Sequence, residues 1–177
     1  MLFRISAAWA RIELAAAAAL ALAVTLLVLL NVVTRTAGNA LFWVDELAIY
    51  AMAWMTFLGA SAALHHRTSV SITLLTDAVP PKIKAIILKV VDIIIFIFAL
   101  SMLWFCWIWY MPLDLARAGF DTMAFQGQTF NFIYAEPTTT LGIPKYIVWS
   151  VMWLFAFGAT LHSTMHLLRA PSSEPIA

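Results

Sequence analysis

Four long apolar segments constrain the fold of this chain more than any other feature. They run over Ile12–Val33, Val44–Leu64, Ile86–Tyr110 and Tyr146–Leu168. Each is close to the ~20 residues that a helix needs to cross about 30 Å of hydrocarbon. The composition agrees, because 64% of the 177 residues are hydrophobic and 11% are charged. The sequence therefore predicts an all-α membrane protein with four transmembrane helices in a single integral membrane domain.

Several classes of function find no support in the residues. The net charge of +1 gives no reason to expect binding to nucleic acid. Cys106 is the only cysteine and lies inside the third segment, so an intrachain disulfide is excluded. The chain has no GxSxG, HExxH, CxxC or Gly-rich phosphate motif, and no loop is large enough for a catalytic domain. We therefore expect neither an enzyme nor a cofactor or metal held by this chain.

The distribution of Lys and Arg predicts the orientation in the membrane. The first apolar segment is longer than the core of a secretory signal peptide, so we expect it to be retained as a signal-anchor helix. With that helix in place, seven basic residues fall on the side of the N-terminus and three on the other. The seven are Arg4, Arg11, Arg67, Lys82, Lys84, Lys89 and Arg169; the three are Arg35, Arg117 and Lys145. The positive-inside rule then places both termini in the cytoplasm and the loop Met111–Ile143 in the periplasm.

Short connections predict an antiparallel bundle of neighbouring helices. Small residues recur every four positions at Ala15, Ala19 and Ala23 in the first segment, and at Gly59 and Ala63 in the second. Such spacing is typical of close helix contacts in membranes, so we predict that these two faces meet. The alternative is that alanine serves only as a good helix former.

A polar hairpin joins the first two segments. Arg35 ends one helix, and Trp43, Asp45 and Glu46 open the next. Acids at a helix N-terminus complement its dipole, and indole favours the lipid–water boundary. Arg35 lies at a similar depth, so we expect it to pair with one of the two acids. The hairpin is either an ordinary boundary anchor or a contact site for another protein.

Asp92 is an acid inside a predicted span. An intramembrane carboxylate usually has a partner. We predict His162 as that partner because the two residues lie at similar depth, with Lys89 as the competitor. Proton transport through Asp92 is the alternative, although no relay leads to the other side.

Histidines open a second possible function. His162 and His166 share one face of the last segment, and His65 and His66 end the second. Histidines facing each other can hold haem between helices, so a haem- or quinone-binding anchor of a respiratory complex is an alternative. Its weakness is depth, because His65 is expected at the water boundary and His162 well inside. A homodimeric exporter is disfavoured, because Glu13 lies at the edge of the first segment with no acid deeper in it.

Three further regions carry expectations. The long outer loop holds aromatic residues that either contact a partner or lipid, or pack on the bundle ends; they are Phe120, Phe125, Phe130, Phe132 and Tyr134. Ser69–Leu75 alternates polar and apolar residues, which indicates a short interfacial or strand-like piece. Pro171–Ala177 is expected to be disordered.

The order of these features resembles a known family. The relevant residues are Asn31-Val-Val-Thr-Arg35, Phe42-Trp-Val-Asp-Glu-Leu47, Trp54-Met-Thr-Phe-Leu-Gly-Ala60 and Leu141-Gly-Ile-Pro144. Together they resemble the small membrane subunit, or Q subunit, of tripartite ATP-independent periplasmic (TRAP) transporters. One departure is that Ser69 and Thr73 occupy places where the family often has histidine and aspartate.

The resemblance implies a supporting role in the bacterial inner membrane. A larger membrane subunit is expected to carry the substrate and sodium sites, and a periplasmic binding protein to deliver an organic acid. The small subunit would widen the stationary scaffold against which the large subunit's transport domain moves. On this basis Arg35, Trp43, Asp45 and Glu46 are expected to brace the outer hairpin, and none to be catalytic.

Overall fold

The computed structural model describes residues 1–67 and 79–168. Within these ranges the chain forms seven helices, and its one β contact is an isolated bridge between Pro137 and Pro144. The helices are α1 (Leu2–Thr36), α2 (Phe42–His66), α3 (Pro81–Tyr110), α4 (Pro112–Arg117), α5 (Thr122–Thr129), α6 (Lys145–Trp149) and α7 (Val151–Leu168). The segments expected at Ser69–Leu75 and Pro171–Ala177 lie outside the described residues.

Four stretches of helix are long and apolar enough to cross a membrane, which confirms the predicted all-α membrane fold. They are α1, α2, α3 continued through α4, and α6 continued through α7. The helices extend beyond the apolar segments: α1 begins at Leu2 rather than Ile12, and α3 at Pro81 rather than Ile86. Charged residues end an apolar run but not a helix, because their long side chains reach water from the helix end. Which side faces the cytoplasm stays a prediction.

The packing places α2 and α7 in the middle. α1 packs mainly against α2, α3 packs mainly against α7, and α2 and α7 share a smaller interface. The last span is accordingly the most buried of the four and α1 the least. α1 runs antiparallel to α2 and α7, because its start contacts the ends of both through Ser6; α2 and α7 therefore run in the same direction. We call that end of the bundle the terminal end and the opposite end the loop end.

Two small apolar clusters fill the centre. One joins Ala17, Leu58 and Val151 from α1, α2 and α7. The other packs Phe155 of α7 against Ala99 of α3, and the Phe155 ring meets Phe57 edge-on at 5.4 Å. These clusters hold together helices whose remaining surface is largely exposed and apolar.

The predicted contact between small-residue faces is wrong. Ala15, Ala19 and Ala63 are exposed, and an added Cβ on Gly59 would meet no atom within 4 Å. α1 and α2 do pack together, but side chains such as Trp54 and Leu58 fill the space between them. The two backbones do approach closely, but the buried residues Ala17 and Leu58, rather than the predicted small-residue faces, lie at the contact.

The loop end has its own structure. α4 and α5 follow α3 directly, and a tight loop at 137–144 leads into α6. The last span is interrupted at Ser150, one residue after α6 ends. There the Val148 carbonyl accepts a hydrogen bond from Trp54 Nε1 at 2.7 Å. α2 therefore fixes the position of this break.

Candidate functional site

The hairpin between α1 and α2 is closed by an ion pair. Arg35 on the last turn of α1 pairs with Asp45 on the first turn of α2. Asn31 bridges the two by accepting from Arg35 Nε at 2.9 Å and donating to the Asp45 carboxylate. Arg35 was expected to pair with Asp45 or Glu46, and it pairs with Asp45. Both side chains of the pair remain substantially exposed, so its electrostatic contribution is about 1 kcal/mol or less.

Glu46 makes a different set of contacts. Its carboxylate accepts backbone N–H bonds from Thr139 at 2.8 Å, Thr140 at 2.6 Å and Leu141 at 3.0 Å. The Thr140 hydroxyl and the Tyr50 hydroxyl donate to it as well. Gly142 supports this turn with a φ of +69°, which glycine adopts without strain. Consecutive N–H groups aimed at one anion form a nest, so Glu46 fastens the loop before α6 to the start of α2.

Trp43 lies beside these contacts with 40% of its surface exposed, and the preceding Phe42 is 69% exposed. These two apolar rings therefore project from the loop end of α2. The prediction that Trp43 anchors this end at the lipid–water boundary, or meets another protein there, stays a prediction.

A second ion pair joins three helices at the terminal end. Arg67 follows α2 and reaches Asp92 of α3 at 2.6 Å. Its Nε also donates to His166 Nδ1 of α7 at 3.0 Å. His166 Nε2 lies 3.0 Å from the carbonyl of Leu64 and must carry a proton to donate to it. Because Nδ1 accepts from Arg67 and so carries no proton, His166 is neutral.

The predicted pairing of Asp92 with His162 is therefore wrong. Asp92 is 6% exposed and pairs with Arg67 instead. The competing candidate, Lys89, donates to the carbonyl of Leu167 at the end of α7. Counting residues along a helix predicts depth but not the direction in which a side chain faces.

His162 belongs to a buried polar cluster with α1. Its Nε2 lies 3.0 Å from Glu13 Oε2, and its Nδ1 lies 2.7 Å from Ser6 Oγ. The same hydroxyl lies 2.8 Å from His65 Nδ1, and the two imidazole centroids are 5.1 Å apart. Ser6, Glu13 and His162 are at most 1% exposed, and His65 is 2% exposed.

This geometry extends one expectation and corrects another. Glu13 lies near the start of the first apolar segment, but α1 begins at Leu2, so Glu13 is inside a helix and only 1% exposed. His65 does not lie at a water boundary, because Ser6 and His162 cover it. His65 and His162 therefore do meet. However, both ring nitrogens of His162 already face Ser6 and Glu13, so no lone pair is left to ligate haem iron.

Gly158 lies one helical turn from His162, where α7 passes close to side chains of α1 and α2. A Cβ there would collide with Glu13 Oε1 and Ser61 Oγ and lie 2.9 Å from Trp9 Nε1. These three buried atoms have no hydrogen-bond partner among the described residues. The backbone of α7 can approach the polar faces of α1 and α2 only because this residue has no side chain.

The aromatic residues of the outer loop divide between the two predicted alternatives. Phe125 is 1% exposed and meets the Tyr134 ring at 5.2 Å. Tyr134 in turn donates to the carbonyl of Tyr110 at 2.7 Å. Phe120 and Phe130, in contrast, are 72% and 81% exposed. One part of the loop packs on the bundle, and another part presents an apolar surface.

The sequence contains a signal for the polar cluster in the spacing of its residues along α1 and α7. Ser6, Trp9 and Glu13 are three and four residues apart, and so lie on one face of α1. On the last helix Gly158, His162 and His166 follow each other at intervals of four. A small or polar stripe on a helix in lipid indicates a face turned towards other helices.

Comparison with known proteins agrees with this architecture. The profile of the family described as tripartite ATP-independent periplasmic transporters, DctQ component, matches residues 24–171. A putative TRAP transporter small permease protein of Haemophilus influenzae is 35% identical over 74 residues, which cover 41% of this chain and 46% of that protein. The isethionate TRAP transporter permease protein DctMQ of Oleidesulfovibrio alaskensis is 23% identical over 123 residues, which cover 70% of this chain and 16% of that protein. No solved structure matches.

The chain thus spans less than half the length of these curated relatives. The family match nevertheless covers most of the chain, including all four apolar helices in whole or in part. It also includes the hairpin and the Glu46 nest. The chain therefore belongs to the DctQ family of small permease components of TRAP transporters, and is a multi-pass protein of the inner membrane.

Proposed function

We propose that this chain is the stationary scaffold subunit of a sodium-coupled TRAP transporter that takes up an organic acid. In this assembly it binds a large membrane subunit, which carries the substrate and sodium sites. A periplasmic binding protein delivers the substrate. The observation that carries the proposal is the family match, supported by a relative whose name, DctMQ, joins two permease components in one chain.

The distribution of polar groups supports a scaffold rather than a transport path. The buried charges described above face each other: Asp92 meets Arg67, and Glu13 meets His162. The buried polar atoms without a partner among the described residues, Trp9 Nε1, Glu13 Oε1 and Ser61 Oγ, converge at one point beside Gly158 and do not form a line of groups across the bundle. The outward surfaces of α1 and α3 instead carry large apolar side chains, such as Leu26 and Ile97, at 57% and 58% exposure.

The ion pairs and hydrogen bonds at both ends of the bundle also support a scaffold role. Arg35 and Glu46 hold the loop end, and Arg67 holds three helices at the terminal end. A moving transport domain needs a partner that does not deform under the load. In the predicted orientation, with both termini in the cytoplasm, the Glu46 nest lies on the periplasmic side. The hairpin there is then available to a delivering protein.

The direct test is reconstitution with a large TRAP membrane subunit, which we expect a neighbouring gene to encode. We expect the two to co-purify, and proteoliposomes to take up a labelled organic acid only when both subunits, the binding protein and a sodium gradient are present. A photo-crosslinking residue at Leu26 or Ile97 should attach the chain to the large subunit from at least one of the two helix surfaces. Uptake by the large subunit alone at the full rate, or by this chain alone, would refute the scaffold role.

A further inference from the structure

The outer loop carries an apolar surface that the bundle leaves uncovered. On α4 the exposed side chains Leu113 and Ala116 are three residues apart and share one helix face. On α5 Met123 is 71% exposed, whereas Phe125, which is separated from it by about 160° round the helix axis, is 1% exposed. Exposed Phe120, Phe130 and Phe132 extend this surface. We call Leu113, Phe120, Met123, Phe130 and Phe132 the loop stripe.

Hydrogen bonds set the depth of this stripe in the membrane. Asn131 lies between Phe130 and Phe132, and its side chain donates to the carbonyl of Trp109 at 2.7 Å. Trp109 belongs to the last turn of α3, which ends at Tyr110 because Met111 adopts a left-handed conformation with a φ of +44°. The stripe is therefore tied to the level at which a membrane helix ends.

The end of α3 has the residues of a lipid–water boundary. Trp104, Trp107 and Trp109 are all at least 38% exposed there. Indole rings favour the level of the headgroups, where the ring is shielded and the N–H remains hydrated. The loop stripe continues this aromatic surface rather than standing apart from it.

The charges of the segment favour burial in the boundary over exposure to water. Asp114 pairs with Arg117 at 2.9 Å, and Asp121 caps α5 by accepting from the N–H groups of Met123 and Ala124. No group of cations is present among these residues to select anionic lipids. The stripe itself exposes on the order of 600 Å² of apolar surface, as much as the largest patch on a typical soluble monomer.

A transient protein partner fits less well than lipid. A periplasmic protein that docks and leaves would return the stripe to water in every cycle. Lipid would cover it permanently. We propose that α4, α5 and the turn to Phe132 form an in-plane anchor, with the loop stripe embedded at the headgroup–acyl boundary of zwitterionic phospholipid. This goes beyond the transporter role and does not depend on it.

The test places a fluorophore on two faces of the same short helix. Cys106 is replaced by alanine, and Met123→Cys and Gln128→Cys are each labelled with an environment-sensitive nitrobenzoxadiazole dye in the full chain. Gln128 is exposed but about 140° from Met123 round α5, so it serves as the matched control. Phe132→Cys provides a second stripe position outside any helix. The proteins are placed in phosphatidylcholine nanodiscs, with and without the large subunit.

We expect phosphatidylcholine carrying a spin label near the top of its acyl chain to quench the dye at Met123 and Phe132 roughly threefold more than at Gln128. Aqueous iodide should show the opposite order, and added phosphatidylglycerol should change neither. Equal iodide quenching at Met123 and Gln128 would place the stripe in water and overturn the proposal. Protection of Met123 from both quenchers once the large subunit is bound would assign the stripe to a protein interface and overturn it equally.

Discussion

The crowding at Gly158 yields the sharpest prediction about stability. Gly158→Ala adds a methyl group where Glu13 Oε1, Ser61 Oγ and Trp9 Nε1 already converge. Gly59→Ala adds the same group to the interior of α2, where no atom lies within 4 Å. Both substitutions gain the roughly 0.5–1 kcal/mol by which alanine exceeds glycine in a helix. Because both variants share that gain, the difference in stability between them measures the cost of overpacking at Gly158, which is about 1–3 kcal/mol.

The single buried cysteine provides the assay. Cys106 is 0% exposed, so a thiol-reactive dye should label it only as the bundle opens on heating in detergent. We expect Gly59→Ala to unfold at or slightly above the temperature of the unmodified chain and Gly158→Ala to unfold below it. For a chain of this size, a gap of about 1–3 kcal/mol corresponds to roughly 3–10 °C between the two variants.

A second substitution tests the cause. Ser61→Ala removes one of the colliding atoms, a hydroxyl without a partner among the described residues. In that background Gly158→Ala should lose less stability than it does alone, because the two sites are in contact and their effects are not additive. If Gly158→Ala matches Gly59→Ala in melting temperature, the close approach of α7 to α1 and α2 is refuted.

Two more comparisons test the ion pairs. In a double-mutant cycle of Arg67→Gln and Asp92→Asn, each single change should cost about 3 kcal/mol, because each leaves one charge of the pair without its partner. The two effects should be strongly non-additive. The cycle of Asp92→Asn with His162→Gln should be close to additive, and a measured coupling there would support the Asp92–His162 pairing that the structure rejects. At the loop end, Glu46→Gln should open the 137–144 loop to limited proteolysis, because an amide NH₂ cannot accept the backbone N–H bonds that the carboxylate accepts. Arg35→Gln should leave the protease pattern unchanged and cost about 1 kcal/mol or less, and equal proteolysis of the two variants would contradict this division of roles.

Local composition predicted the helices well because the membrane limits the choices. In lipid, every backbone group must be satisfied within its own segment, so a long apolar run has few alternatives to a helix. The Arg35–Asp45 pair was also within reach, because a short hairpin brings those two residues together whatever the rest of the chain does. The resemblance to the Q subunit rested on the same hairpin and is confirmed by the family match.

Contacts between distant helices were not predictable in the same way. The Glu46 nest joins residues more than ninety positions apart, and its donors are backbone N–H groups that no side-chain pattern reveals. Asp92 was given the wrong partner because depth along a helix follows from counting residues, whereas direction depends on how the helices rotate against each other. The predicted close contact at Gly59 was wrong for the same reason, because only packing distinguishes Gly59 from Gly158, where the structure has a close contact.

The contact between Glu13 and His162 has a consequence for biosynthesis. The two residues are 149 positions apart in the chain, and at about 5–20 residues per second a ribosome needs on the order of ten seconds or more to make the interval. During that time Glu13 has been made but its imidazole partner does not yet exist. The newly made first helix therefore carries a carboxyl without this partner until the last helix enters the membrane. Burial of Glu13 is thus completed only by α7, and a truncation that removes α7 leaves this carboxyl without its imidazole partner.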